Sequence, residues 1–181
     1  METSPSHPFD ELVAIEKQVM QFSTPFPAIE TTSNQWSGVS FILNNHHFVV
    51  DFREILEILS IPDMTPLPDV QDWVKGIANI RGRIVPIVDL GDFLGRDSPL
   101  STGRRKTLLV EHKETPLGLI VDEVQGMMKF SGLKDEKDVP GELKSAYRPF
   151  VTGCFFRDIH HLVFCTRRLL SSHRFLRAAR G

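Results

Sequence analysis

The chain has only two cysteines, one tyrosine and a formal net charge of −2 over 181 residues. Cys154 and Cys165 make no disulfide framework, so an apolar core has to hold the fold. The small net charge excludes a uniformly basic nucleic-acid binder and a uniformly acidic tail protein, though not local patches. No apolar run approaches the ~18 residues of a membrane helix. The longest, such as Ile84 to Leu90, are strand-sized. The opening Met-Glu-Thr-Ser-Pro-Ser-His-Pro lacks a basic segment followed by an apolar one. No secretory signal is therefore expected, and the default location is the cytoplasm, with both thiols reduced.

Catalytic signatures are also missing. There is no HExxH helix, Cys-x-x-Cys pair, Gly-x-Ser-x-Gly or glycine-rich phosphate loop. Cys154, His160, His161 and Cys165 form the best metal candidate. Their spacing is not a common zinc pattern, and successive strand residues face opposite sides. The plainer reading is two buried thiols and two histidines at a turn. Asp89 and Asp122 each end a strand and read as hydrogen-bond anchors for neighbouring turns, not as a catalytic pair. No enzyme activity, metal or cofactor is expected.

What is present is a series of short strands. Residues 9–22 come first and read as an amphipathic helix: Phe9, Leu12, Val13, Ile15, Val19, Met20 and Phe22 recur at helical spacing. That stripe either packs back on the body or docks a partner. A polar linker follows to residue 35. Val39, Phe41 and Leu43, the Asn44-Asn45 turn and Phe48-Val49-Val50 then make a β-hairpin pattern. Ile55 to Leu59 fits a short strand or a helical turn, and the prolines of 62–68 demand an extended loop. Ile77–Ile80, the Arg81-Gly82-Arg83 turn and Ile84–Leu90 form the clearest hairpin, with Gly82 supplying a positive φ. Leu90 to Leu94 fits one helical turn. Arg96 to Lys106 reads as a basic loop, followed by strands over 107–111, 116–121 and 124–129. Ser131 to Tyr147 reads as a charged, mobile loop. Phe150–Phe156 and Leu162–Cys165 read as a hairpin whose turn holds Arg157 to His161. Arg167 to Ala179 reads as one basic helix with Leu169, Leu170, Phe175 and Leu176 inward.

There is an internal echo. Trp73-Val74-Lys75-Gly76 before one hairpin matches Phe150-Val151-Thr152-Gly153 before another. Six residues separate Val49 from Ile55 and Gly118 from Val124. Two similar β lobes would leave this trace, and so would chance among short apolar strands.

The block Trp73-Val74-Lys75-Gly76-Ile77-Ala78-Asn79-Ile80-Arg81-Gly82-Arg83-Ile84-Val85-Pro86-Ile87-Val88-Asp89-Leu90 resembles the signature of the CheW-like family of chemosensory adaptors. The likeness extends over Ser37 to Ser172, through Met64 to Pro68, Gly118 to Val124, Phe150 to Gly153 and Leu169-Leu170. It implies a mainly β protein: two intertwined five-stranded SH3-like barrel lobes with a core between them, short helices and an N-terminal helical extension. The implied organisation is an extension over 1–36, the domain over 37–172 and a basic helix end over 173–181. The acidic extension and Trp36-Ser37-Gly38 look closer to the twitching-motility (type IV pilus) branch than to the flagellar one.

The resemblance implies a non-catalytic adaptor, without cofactor, nucleic acid or membrane insertion. Its implied partners are the cytoplasmic tip of a methyl-accepting chemoreceptor and the regulatory domain of a CheA-type histidine kinase, in membrane-bound arrays. The receptor groove carries over to Ile55, Glu57, Gly76, Asn79 and Arg81. Ile55 would offer apolar area, and Gly76 would let a helix approach the backbone. Arg81 either ties the hairpin to a neighbour such as Glu57 or meets the partner. Glu57 is either a solvated charge or part of that pairing, and Asn79 either a local anchor or a contact. Kinase contacts are expected on apolar residues at the lobe ends that the sequence does not pick out. A generic flagellar coupling protein is the alternative within the class. A nucleic-acid binder rests only on Arg167, Arg168, Arg174, Arg177 and Arg180. Charge divides unevenly: residues 1–36 carry −4, residues 145–181 carry +6 and the middle −4.

Overall fold

The computed structural model describes residues 35–96, 103–112, 115–131, 135–141 and 143–178. The helix expected over residues 9–22 lies outside the described residues. Among the described residues eleven strands run β1 (Gln35–Leu43), β2 (His46–Asp51), β3 (Ile55–Leu59), β4 (Val74–Ile80), β5 (Arg83–Asp89), β6 (Lys106–His112), β7 (Thr115–Val121), β8 (Glu123–Ser131), β9 (Glu136–Lys137), β10 (Val151–Arg157) and β11 (Ile159–Phe164). Among the described residues three short α-helices join them: α1 (Leu90–Phe93), α2 (Thr166–Leu170) and α3 (His173–Leu176). The ambiguous Ile55–Leu59 is thus a strand.

Two sheets result, ordered β8-β1-β2-β11-β10-β9 and β3-β6-β7-β5-β4. In each, two hairpins are joined by one parallel pair, β2 with β11 and β7 with β5. Each sheet also closes on itself. After β3 the chain returns and Thr65 bridges Ile77 of β4. After β8 it returns and Lys137 pairs with Cys154 of β10. These are equivalent positions, each one residue past the glycine of the repeated tetrapeptide.

The echo in the sequence is therefore structural. Val49 sits opposite Val163 as Gly118 sits opposite Ile87. Six residues on, Ile55 and Val124 each precede a bulge. The β4–β5 and β10–β11 hairpins share a further bulge, before Gly76 and Gly153. Strands are also exchanged: β3–β5 close a lobe with β6–β7, and β8–β11 close the other with β1–β2.

Alternation along each strand divides the apolar residues among three cores. One lies inside the β3–β7 lobe, from Ala78, Ile80, Val85, Ile87, Leu109 and Ile120. A smaller one, Val49, Phe130 and Phe155, fills the other lobe. The largest lies between them, where Phe41, Phe48, Leu108, Leu119, Phe93 and Phe164 meet. Phe93 of α1 is its hub, with ring centroids 5.1 Å from Trp73 and 5.6 Å from Phe150, the two aromatic leaders of the repeated tetrapeptide.

Four expectations change. Ser131 to Tyr147 is not simply a mobile loop: β9 joins the sheet, and Leu143 and Tyr147 are buried in the central core. The Tyr147 hydroxyl accepts from Asn44 Nδ2 at 3.1 Å, so the one tyrosine has its polar tip satisfied. The β10–β11 turn is tighter than expected, with Asp158 at φ 63 between paired Arg157 and Ile159. His160 and His161 therefore belong to β11, not to a turn. The basic C-terminal helix is two helices, because the Ser172 hydroxyl accepts from Phe175 N (3.3 Å) and starts α3 afresh. The break turns Leu176 outward, to 71% exposure, whereas Leu169 is fully buried.

Candidate functional site

The Arg81-Gly82 turn is a two-residue reversal, not a three-residue one, and both residues have positive φ, 52° and 82°. That is the type I′ geometry, whose twist matches the flanking strands. Asn79 anchors it: its Oδ1 accepts from Gly82 N at 2.9 Å. The turn projects Arg81 towards β3, where Nη2 donates to Glu57 Oε1 at 2.7 Å. The pair links the turn of one edge hairpin to the opposite edge strand, across the mouth of the closed lobe. Arg81 keeps a 78% exposed side chain, so this is a surface pair worth about 0–1 kcal/mol to the fold.

The residue type is informative. Among the described residues five non-glycine positions have positive φ: Asn44, Asn45, Asp69, Arg81 and Asp158. Four are Asn or Asp, whose short polar side chains tolerate the left-handed region. Arg81 has no such excuse, and strain of this kind concentrates where a side chain is needed for something other than the fold.

Ile55 and Gly76 play different parts. Ile55 is half-buried and packs on the central core, opposite Val110. Gly76 is buried at φ 139, and a Cβ there would overlap the Thr65 carbonyl oxygen and lie 2.8 Å from its carbon. The space beside Gly76 is filled by the bridge that closes the lobe. The absence of a side chain at Gly76 is thus needed by the fold itself. The connected surface set is Glu57, Asn79 and Arg81.

Sequence reasoning missed the exposed apolar residues around this set. Leu56 at the β3 bulge, Ile58 beyond it and Ile84 opposite Asn79 all face solvent. The signal was the run Ile-Leu-Glu-Ile-Leu, apolar on both faces of one strand.

It also missed a buried charge cluster. Asp89 and Asp122 are anchors as expected. Asp89 Oδ1 accepts from Asp92 N (3.1 Å) to start α1, and Asp122 Oδ2 accepts from Asn44 N (2.8 Å). Between them lies Arg96, which the sequence reading put in a basic loop. It donates to Asp89 (2.7 Å), Asp92 (2.8 Å) and Asp122 (2.8 Å). Arg105 meets Asp89 as well. Burial opposes the Arg96 charge, but its bonds to Asp92 and Asp122 and the field of Asp89 more than offset this and hold its pKa above the usual value.

The candidate metal ligands do not assemble: among the described residues no three His, Cys, Asp or Glu side chains gather as a metal site. His161 instead is buried, its ring 5.8 Å from His47 and 5.5 Å from Phe130, with Nδ1 unpartnered. Burial, then His47 and Arg157, depress its pKa. A depressed histidine leaves stability intact above the unfolded value near 6.5 and removes it as pH falls towards the folded value. The loss proceeds at up to about 1.4 kcal/mol per pH unit for each proton the unfolded chain binds in excess. His46, half-buried beside Lys144 and His47, acts in the same direction. The melting temperature should thus fall from about pH 7.5 to about pH 5.5. His161→Phe should flatten part of that fall in thermal melts; an unchanged slope would remove His161 from the account.

The described residues thus form two closed, strand-exchanged lobes around a shared core, with Arg81 and apolar side chains turned outward. The chain belongs to the CheW-like domain family, whose model matches residues 37–164. It is similar to Protein PilI of Pseudomonas aeruginosa, 41% identical over 95% of this chain and 96% of that protein. Chemotaxis protein CheW of Rhizobium meliloti is 29% identical over 64% of this chain and 74% of its own length. The solved structure of the scaffolding protein TtCheW from Thermoanaerobacter tengcongensis shares the fold, with a TM-score of 0.64, 23% identity and coverage of 71% of this chain and 88% of that one. The family is one of chemosensory scaffolds. Among the described residues no helix is long and apolar enough to cross a membrane.

Proposed function

We propose that this chain couples the cytoplasmic tip of a methyl-accepting chemoreceptor to the regulatory domain of a CheA-type histidine kinase, in the array that controls type IV pilus twitching motility. It is a cytoplasmic adaptor, held at the membrane by the receptors and itself without catalysis. The observation that carries this reading is Arg81, strained and exposed on a turn where Asn or Asp would be easier, beside Glu57 and Asn79. The similarity to PilI over nearly the whole chain supports the pilus pathway over the flagellar one. The receptor tip is a helical hairpin that lies along β3 and the β4–β5 turn, with Ile55 and the outward apolar residues beside it giving area.

The test is capture of a receptor cytoplasmic fragment and of the kinase by the full chain. Wild type should hold both. Arg81→Glu should lose the receptor while its thermal melt stays within a few degrees, since the pair it breaks is a weak surface one. Arg81→Glu with Glu57→Arg rebuilds the internal pair in reverse. If that double variant still fails to bind, the arginine faces the partner; if it recovers, the role is local. Wild type that binds neither partner would refute the reading.

A further inference from the structure

The C-terminal arginines take no part in the surface described above, and they differ from the arginines of the first lobe. Arg53, Arg81, Arg83, Arg96, Arg104 and Arg105 each meet a carboxylate. Arg167, Arg168, Arg174 and Arg177 are exposed and, among the described residues, meet none. Arg174 lies over the Phe93 ring, 4.7 Å from its centroid, and Arg168 donates to the Val151 carbonyl at 3.3 Å. Among the described residues no other partner answers their charge.

The helices that carry these arginines wall a recess through Leu170, Phe175 and Leu176. Between the β4–β5 hairpin, the start of β7 and the α2–α3 pair lies an open groove of about 450 Å³. Its walls, which include Val74, Pro86, Pro116, Leu170 and Phe175, are almost wholly apolar. The indole of Trp73 forms part of the wall, and Phe175 stacks on it at 5.3 Å, so the pocket is held in shape by the same rings that build the central core. Leu176, the most exposed large apolar residue described, also lines it. The Ser172 break thus stations Leu176 and Arg174 of α3, with Arg177 just beyond it, beside a hollow that the described residues leave open.

We infer that this groove is a second docking surface, and that its occupant is an amphipathic helix of a partner protein whose apolar stripe is flanked by carboxylates. The recess favours side chains spaced at i, i+3, i+4 and i+7, because a flat surface cannot fill it. The unanswered arginines favour acidic flanks. The charge also orients the helix. Asp69 is exposed on the loop that brings Leu67 and Val70 to the other wall, so the partner's carboxylates face α2 and α3. The inference stands on residues other than Glu57, Asn79 and Arg81, and does not depend on the receptor reading.

The full-length protein is titrated against a labelled synthetic helical peptide of Leu, Ala and Glu with one apolar stripe, and against the same peptide with Lys in place of Glu. Fluorescence anisotropy reads both. The Glu peptide should bind saturably at one site and weaken from about 50 to about 300 mM salt, as screening of exposed charges requires. Leu176→Asp, and separately Arg174→Glu with Arg177→Glu, should each weaken it about tenfold or more, the effect of about 1.4 kcal/mol. Leu176→Asp alters an exposed residue and should leave the melt unchanged, whereas the double arginine variant also loses the Arg174 contact with Phe93 and should melt a few degrees lower. Arg81→Glu should leave peptide binding unchanged. Equal binding of both peptides, or no binding of the Glu peptide to wild type, overturns the inference. So does sedimentation with phosphatidylglycerol vesicles that Leu176→Asp abolishes while the Glu peptide fails to bind, which would make the face a membrane contact.

Discussion

Gly76→Ala is expected to unfold the protein at least 10 °C below wild type, from a loss of about 3 kcal/mol or more. Two costs coincide. An alanine at φ 139 is in a region L residues rarely adopt, and its Cβ would overlap the Thr65 backbone. Neither can relax alone, because Thr65 N donates to Ile77 O (2.8 Å) and Ile77 N to Thr65 O (2.9 Å), and this bridge closes the lobe. The equivalent glycine provides the control. Gly153 has an ordinary φ, and a Cβ there would lie 3.8 Å from Val163 Cγ2, so Gly153→Ala should cost under about 1 kcal/mol. Thermal melts of the two variants decide it; equal midpoints would mean that bridge closure is not what demands Gly76. Loss of receptor binding on substituting Gly76 would therefore report a damaged lobe, not a lost contact.

Asp89→Ala should cost about 3–5 kcal/mol, the range for removing one partner from a buried ion cluster. Asp89 is only 1% exposed and serves Arg96, Arg105 and the start of α1 together. Removing it leaves Arg105, among the described carboxylates, with Asp122 alone at 4.0 Å, and takes from Arg96 one of its three acidic partners. Asp89→Asn keeps the acceptor for Asp92 N and deletes the charge, so it should fall between wild type and Asp89→Ala. Urea midpoints at about 0.1 and about 1 M salt should shift alike for wild type and variants, since a buried cluster is little screened. A drop below about 1 kcal/mol for Asp89→Ala would show the cluster to be surface-like.

Hairpins and duplication were legible because both are local signals. Asn44-Asn45 and Arg81-Gly82 mark turns by residue type, and alternation marks the strands on either side. The repeated tetrapeptide and the six-residue spacing from Val49 and Gly118 survive because each carries a bulge or a parallel partner that must recur in each lobe. What escaped was long-range. Arg96 is polar and loop-like until Asp89 and Asp122, 7 and 26 positions away, enclose it. Leu143 and Tyr147 sit among charged neighbours that mask their burial. Leu176 follows the helical period of Leu169, and only the Ser172 cap breaks it. At the candidate site Glu57, Asn79 and Arg81 were readable as a set, but the contact of Gly76 with Thr65 was not, since nothing in the sequence pairs the two.

Exchange of strands has a mechanical consequence. Neither lobe can pivot as a separate domain, because β3–β5 and β8–β11 each complete a ring begun by the other half of the chain. The Thr166 hydroxyl adds a rivet, donating to Glu54 on the crossing from β2 to β3. Load applied to one lobe therefore reaches the other without a hinge to absorb it, and any two proteins seated on opposite lobes are held at a fixed spacing, as by a gauge block.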